Sequence, residues 1–452
     1  MKIIIVGCGK IGKSLAENFV SEGHDVAVID KSPEVVEEIT NACDVIGVCG
    51  IGTDCEVLAE AGAARADIVI GVTGSDELNM LACFIARTLG AKNTVARIRD
   101  PEYNDKSLGF MVNQLQLSVA LNPELSVAHT IANILKFPSA VNIETFASHK
   151  FEIIEMILGE DSPLIGKSMI DLRRHSPGKF LICSVLRQNE VIIPDGRFEL
   201  RGGDRIALTA APNEIGKLLR SLGLITRKTK NVMILGASRI AYYLTQSLIA
   251  SGNNVTVIDK DPKRCEEFAE AIPAATVICG DGANQDMLVE EGISQKDAFV
   301  SLTGYDENNI LISYFARSQN VGKVVAKVNR PEFSPIAGKL GIDTIISPIQ
   351  TVADEMVRYA RALQNSVGSN VEKLYKIMDG KVEALEFNVR SDFSHAGRAL
   401  KDIKFKQNIL IAGILRNRRP IVPSGDDVIL PGDKVIVIAA NHRLYDLSDI
   451  IG

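Results

Sequence analysis

The chain has 452 residues, of which 46% are apolar and 23% charged, with 50 Lys and Arg against 56 Asp and Glu for a formal net charge of −6. These balances exclude wholesale disorder and argue against a nucleic-acid partner, which calls for a basic excess or basic stripes. Trp is absent and aromatics are 5%, so base-stacking platforms are not expected, and no apolar stretch approaches the roughly 20 residues of a membrane span.

The chain opens with MKIIIVGCGK, an apolar strand candidate at 2–6 that runs straight into a glycine loop. That segment is too short for an export signal, so a cytoplasmic address without a transmembrane segment is expected. A helix follows at 11–22, then strands at 25–29, 45–49, 67–72 and 94–98, separated by helices at 33–41, 54–62, 76–89 and 102–110. Such alternation means a parallel sheet with helices on both faces. A helix at 126–136 follows Pro123. The style then changes: 151–158, 180–186, 191–193 and 205–210 read as β hairpins, interrupted by helices at 166–174 and 212–222. Residues 226–230 (TRKTK) form a basic joint.

Beyond the joint the pattern returns at a period of about 229 residues. VAVIDK at 26–31 recurs as VTVIDK at 255–260, and VTGSDE at 72–77 as LTGYDE at 302–307, with Asn79 matched by Asn309. VARIRDPEY at 95–103 recurs as VAKVNRPEF at 325–333, and VLRQNEVIIPDG at 185–196 as ILRNRRPIVPSG at 414–425. Gly203-Asp204 recurs as Gly432-Asp433, and the second copy has its own post-proline helix at 351–361. The expected fold is therefore α/β, with two Rossmann-like doubly wound parallel-sheet domains (1–137 and 231–362), each followed by a small α+β domain (138–225 and 370–452). The two post-proline helices are read as crossovers that pack against a partner subunit; a plain helix within the domain is the alternative.

Gly7-Cys8-Gly9-Lys10-Ile11-Gly12 follows a strand and opens a helix, the setting a dinucleotide fingerprint requires. The first Gly permits the tight turn, the second lets a pyrophosphate approach the backbone, and the third lets helix and strand pack closely. Asp30 ends the next strand, where a carboxylate accepts hydrogen bonds from ribose hydroxyls and repels the 2′-phosphate of NADP. Residues 7–14 also fit the NTPase phosphate loop G-x-x-x-x-G-K-[ST], but the second copy keeps Gly236 and Asp259 without any Gly-Lys-Ser, which favours the dinucleotide reading.

In that second loop Ser238 replaces the Gly of closest approach and Ala241 the third Gly. A dinucleotide is disfavoured there; a mononucleotide such as ADP or ATP, or an empty site, remains open. Thr73-Gly74 and Thr303 follow the fourth strand of each copy, at the edge where open α/β sheets bind ligands. Arg97 and Arg99 follow the fifth strand, with Lys327 matching Arg97. They either sense a terminal phosphate or pair with Asp76, Glu77 or Glu102. The first candidate site is thus Gly7, Cys8, Gly9, Lys10, Ile11, Gly12, Asp30, Lys31, Ile51, Gly52, Thr73, Gly74, Arg97 and Arg99. The second is Gly236, Ser238, Arg239, Ile240, Asp259, Lys260, Asp281, Gly282, Thr303 and Lys327.

No catalytic or metal-ligating residue is assigned. The six His do not recur between copies, and neither G-x-S-x-G nor H-E-x-x-H occurs. The eight Cys lack C-x-x-C spacing and read as reduced thiols. Cofactor binding without chemistry points to sensing.

A full glycine fingerprint, VIDK, VTGSDE and VARIRDPEY, then a small β-rich domain, all duplicated, resembles the TrkA family: regulatory subunits of Trk potassium uptake systems built from two RCK (regulator of potassium conductance) units. The resemblance covers essentially the whole chain. It implies an RCK-N and an RCK-C domain per copy, NAD(H) and ADP or ATP as ligands, and no enzymatic activity. It also implies docking on a TrkH-like membrane subunit at the inner face of the plasma membrane and a dimeric or tetrameric gating ring that controls potassium ion transport. An NAD-dependent oxidoreductase and a scaffold with vestigial sites are the alternatives.

Overall fold

Ile3, Ile4, Ile5 and Val6 are all buried, an unbroken apolar run that suits a strand covered on both faces. The computed structural model describes residues 1–101, 103, 105–137, 140–146, 150–175, 179–222, 229–342, 344–365 and 371–452. They divide into one unit of Met1–Ala128 with Ser347–Ala360, and another of His129–Ile346 with Arg361–Gly452. Residues 226–228 of the basic joint and residues 102 and 104 of the expected fifth helix lie outside the described residues.

The first unit is built on β1 (Lys2–Val6), α1 (Lys10–Ser21), β2 (Asp25–Asp30), α2 (Pro33–Ala42), β3 (Ile46–Cys49), α3 (Cys55–Glu60), β4 (Ile68–Gly71), α4 (Asp76–Leu89), β5 (Thr94–Arg97), α5 (Asp105–Gln114) and β6 (Val119–Leu121). The six strands are parallel in the order β3-β2-β1-β4-β5-β6. The order reverses between β1 and β4, so the loops after those strands meet at the switch point where such sheets take ligands. One face is sealed by Leu58, Ala82 and Ala86, the other by Met80, Cys83 and Leu117. Helix α6 (Pro123–Lys136) begins in this unit and ends in the other.

The long helix of the second copy, Pro348–Asn365, contributes residues 348–360 to this first unit rather than to the sheet domain it follows in sequence. Glu355 there accepts a hydrogen bond from the Ser126 hydroxyl at 2.9 Å. This post-proline helix, expected on a partner subunit, is thus grouped with the first copy of the same chain.

The second unit repeats the parallel sheet with β12 (Asn231–Leu235), β13 (Asn254–Asp259), β14 (Thr276–Cys279), β15 (Ala298–Ser301), β16 (Lys323–Lys327) and β17 (Thr344–Ile346), ordered β14-β13-β12-β15-β16-β17. It adds two five-stranded antiparallel sheets. The first has the order β10-β9-β11-β8-β7, with β7 (Ala140–Phe146), β8 (Phe151–Ile157), β9 (Phe180–Arg187), β10 (Glu190–Ile192) and β11 (Arg205–Ala210). The second has the order β18-β19-β22-β20-β21, with β18 (Val371–Ile377), β19 (Val382–Asn388), β20 (Ile409–Arg416), β21 (Arg419–Ile421) and β22 (Lys434–Ala440).

Each antiparallel sheet buries one face under its own helices and loops. The opposite faces share one core, in which Phe146, Phe151, Ile153 and Cys183 meet Met378, Ala384, Ala412 and Ile438. At its rim Glu155, 1% exposed, takes Arg205 at 2.7 Å and the Met378 N–H at 3.2 Å, while Arg205 also reaches Asp379 at 2.8 Å. A charge buried this deeply persists only when paired and hydrogen-bonded.

The recurrent Gly-Asp pairs have a structural cause. Asp204 receives two 2.7 Å bonds from the Arg187 fork and one of 2.8 Å from the Arg201 N–H. Asp433 is held likewise by Arg416 and the Leu430 N–H. The preceding glycines have φ of +77° and +86°, the left-handed region that glycine occupies at no steric cost.

Candidate functional site

The site in the first unit is assembled by two loops at the switch point. Gly7 has φ +99°, and a Cβ there would lie 2.8 Å from the Thr73 nitrogen, so only glycine lets the loops after β1 and β4 touch. At Gly12 a Cβ would fall 2.0 Å from the Gly7 carbonyl oxygen, which makes this the helix–strand packing glycine. Gly9 differs: a Cβ there would meet nothing within 4 Å. It is the N-cap of α1, with no side-chain cap and no acidic residue in the first turn. The free N–H groups and the positive helix end are left to an outside anion.

Asp30 completes the cradle. Its Oδ2 accepts from the Cys8 N–H at 2.7 Å and its Oδ1 from the Ser32 N–H at 3.1 Å. An ionised carboxylate has about four lone-pair sites, so capacity remains for ribose hydroxyls. Burial, then the Asp30 charge, push the Cys8 thiol up to about 12, so the loop carries no thiolate to repel a phosphate.

Gly52 is a packing position, since a Cβ would strike Val6 Cγ1 at 2.1 Å. Lys10, Lys31 and Ile51 are exposed around the cleft, while Ile11 is half-buried.

The second loop is held by a residue the sequence reading did not assign. Asn79, fully buried, accepts from the Thr73 N–H at 2.7 Å and the Thr73 hydroxyl at 2.8 Å. It also donates to the Arg97 carbonyl at 2.9 Å. The Arg97 guanidinium donates back to the Thr73 carbonyl. Arg99 donates to the Gly74 carbonyl at 2.9 Å and pairs with Asp76 at 3.5 Å, and Asp76 also takes the Arg99 N–H at 2.8 Å. Both guanidinium groups therefore brace the 73–74 loop. The recurrence of Asn79 as Asn309 was the sequence signal for this brace.

The second unit repeats the frame with altered detail. Gly236 has φ +100°. Asp259 takes the Ala237 N–H at 2.7 Å and the Asp261 N–H at 2.9 Å, the same clamp as Asp30. Asn309 takes the Thr303 N–H and hydroxyl at 3.0 and 2.7 Å and donates to the Lys327 carbonyl at 2.9 Å. Lys327 Nζ lies 3.5 Å from the Leu302 carbonyl. Gly282 is again a packing glycine, 2.0 Å from Leu235 Cδ1 if it bore a Cβ. Arg239, Lys260 and Asp281 are exposed and Ile240 is buried. Ser238 turns its hydroxyl onto the Ala241 N–H at 3.3 Å. The helix start that Gly9 leaves open is thus capped from within.

Among the described residues no His, Cys, Asp and Glu cluster could hold a metal ion, and no helix is long and apolar enough to cross a membrane.

Comparison with known proteins agrees with this duplicated frame. The TrkA-N domain model matches residues 3–115 and 232–348, and the TrkA-C domain model matches 153–223 and 385–452. A Trk system potassium uptake protein TrkA homolog of Archaeoglobus fulgidus is 30% identical over 450 residues, covering 100% of both chains. The Trk system potassium uptake protein TrkA of Vibrio alginolyticus is 31% identical over 456 residues, covering 100% of this chain and 98% of its own. The crystal structure of the GsuK RCK domain superposes with a TM-score of 0.63 at 18% identity, over 97% of this chain and 92% of that one. A GsuK channel bound to NAD gives 0.62 at 17% identity, over 97% and 77%. The chain belongs to the TrkA family of Trk potassium uptake proteins and carries two tandem TrkA-N and TrkA-C domain pairs.

Proposed function

We propose that this chain is a nucleotide-sensing regulatory subunit of a Trk-type potassium uptake system, without enzymatic activity of its own. The observation that carries the reading is the first cradle: an uncapped, acid-free helix start beneath an open Gly9, beside the Asp30 carboxylate. Those features suit NAD(H). Gly7, Gly9 and Gly12 bring the backbone to the pyrophosphate and Asp30 holds a ribose; Arg97 and Arg99 stand behind the 73–74 loop, where a terminal phosphate would be felt. The second cradle, self-capped by Ser238, suits a smaller adenine nucleotide, ADP or ATP. The GsuK relatives of the same fold include one bound to NAD and one bound to ADP.

The switch follows from linkage. A nucleotide shifts two arrangements of the protein only by the difference in its affinity for them. Each repeat, divided as 1–137 with 138–225 and 231–362 with 370–452, is one RCK unit in a homo-oligomeric ring docked on a TrkH-like membrane subunit at the cytoplasmic face. Exposed apolar side chains support the ring. Leu78, Leu81 and Phe84 project from α4, and Leu311 and Tyr314 from its counterpart Asp306–Ser318. The test is potassium flux through a co-reconstituted Trk membrane subunit with and without NADH, ADP and ATP. Flux that changes with nucleotide supports the reading. Flux indifferent to every nucleotide, or steady turnover of NADH with small carbonyl compounds, overturns it.

A further inference from the structure

Two cysteines meet behind the second glycine loop and have no part in the site described above. Cys265 stands on Pro262–Ala271, the counterpart of α2, and is 7% exposed; Cys279 ends β14 and is exposed. The strand register sets Cys279 beside Asp259, the residue that clamps the loop. Cys265 leans on the same two strand ends, its sulfur 3.3 Å from the Asp259 carbonyl and 3.8 Å from the Ile278 carbonyl. Burial, then the neighbouring Cys279 side chain, push the Cys265 pKa up. Cys265 is therefore the protonated, shielded partner, and Cys279 the one open to reagents, the division of roles found in exchanging thiol pairs. Among the described residues the first unit has no such pair. Val36 fills the matching position on α2, beside Gly47 of β3.

We propose that Cys265 and Cys279 form a reversible disulfide by exchange with a low-molecular-weight disulfide, and that this bond tunes the second nucleotide site; the tuning rests on the nucleotide reading above. The Cys279 thiolate attacks one sulfur of the small disulfide, whose S–S bond breaks and releases one thiolate. Cys265 then gives up its proton and attacks the Cys279 sulfur of the mixed disulfide, releasing the second small thiolate. The protein loses two hydrogens and two electrons, and the small disulfide gains them as two thiols. The new bond replaces the Cys265 contact on the Asp259 carbonyl and ties the helix to the strand end that leads into Gly282. Gly282 in turn packs on Leu235 at the root of the loop. Reversible bonds of this kind are the redox-sensing exception among intracellular thiols.

The test treats the full chain with oxidised glutathione, alkylates the remaining thiols and maps the peptides by mass. The expected result is a direct link between the peptides bearing Cys265 and Cys279, removed by dithiothreitol. In Cys265→Ser, glutathione is expected to stay trapped on Cys279. Calorimetry with ADP is then expected to show a several-fold difference in dissociation constant between oxidised and reduced wild type, and none in Cys265→Ser. Glutathione remaining on Cys279 of the wild type, or no modification there, overturns the pair. A link that leaves ADP affinity unchanged overturns the tuning. If ADP binds neither redox state, the nucleotide reading has failed, and the peptide map alone still decides the pair.

Discussion

Gly9→Ser is the substitution that separates binding from folding. Gly9 and Ser238 share one backbone conformation, with φ −67° and ψ −170° at the first and φ −88° and ψ 168° at the second. A Cβ at Gly9 meets no atom within 4 Å, so serine enters without strain or clash. Ser in place of Gly at an N-cap changes stability by only a few tenths of a kcal/mol. Its hydroxyl would take the Gly12 N–H as Ser238 takes that of Ala241, and its methylene would occupy the approach to the pyrophosphate. A hydrogen bond to a charged group is worth about 1.5–3 kcal/mol, which corresponds to roughly 10- to 150-fold in dissociation constant. Calorimetry with NADH should show that loss at an unchanged melting temperature. Gly12→Ala is the contrast. Its Cβ would lie 2.0 Å from the Gly7 carbonyl oxygen, so stability should fall together with binding, by about 1–3 kcal/mol. Ser238→Gly should open the second site at little cost. If Gly9→Ser binds NADH as wild type does, or melts several degrees lower, the open-cradle reasoning is wrong.

Glu155→Gln strips the buried partner from Arg205; the denaturation midpoint should fall by an amount equivalent to about 3 kcal/mol, the low end for breaking a buried pair because Asp379 still holds Arg205. Asp427 accepts from the Ser424 hydroxyl and N–H at 2.7 Å each, and these bonds hold its carboxyl below the usual range. Its contribution is therefore complete above the unfolded value of about 3.9 and is lost as pH falls through the folded value; Asp427→Asn should melt lower than wild type at neutral pH and converge with it in acid. Leu81→Asp places a charge in the exposed apolar stripe of α4, and sedimentation should show smaller oligomers with an unchanged circular dichroism spectrum. Equal oligomer sizes would remove that stripe from the assembly surface.

Much of the frame is legible in the sequence because it is driven by local pattern. The continuous apolar runs at Ile3–Val6 and Ile68–Gly71 suit only doubly covered strands, and the repeat supplies a second sighting of each element. Edge strands escape that logic. Val119–Leu121 and Ala140–Phe146 lie at sheet edges, each held by pairing with one neighbour, β5 and β8. The destination of residues 347–360 is equally invisible, since an amphipathic helix shows that it has a partner but not which one. Within the site, the glycines read as a fingerprint, but their roles divide only in three dimensions. Gly52 serves packing and Gly9 serves access, and no spacing distinguishes the two. The arginines show the same limit, because a cation after a strand end is compatible with a phosphate or with a carbonyl and a carboxylate. Here the 73–74 loop and Asp76 hold them.

The two copies keep the same clamp and brace but differ at the helix start and beside the clamp. Asp30 and Asp259 hold their loops through equivalent bonds, and Asn79 and Asn309 tie equivalent threonines to the fifth strand. These are contacts within the fold, and their retention costs nothing if a site is empty. The changes fall at Gly9 against Ser238 and at Val36 against Cys265. The first satisfies a helix start that otherwise demands an anion, and the second brings a thiol beside the clamp. Two identical cradles would report one ligand twice. Two cradles with different intrinsic satisfaction would respond to different ligands over different concentration ranges, and only such a difference would let one chain weigh one nucleotide against another.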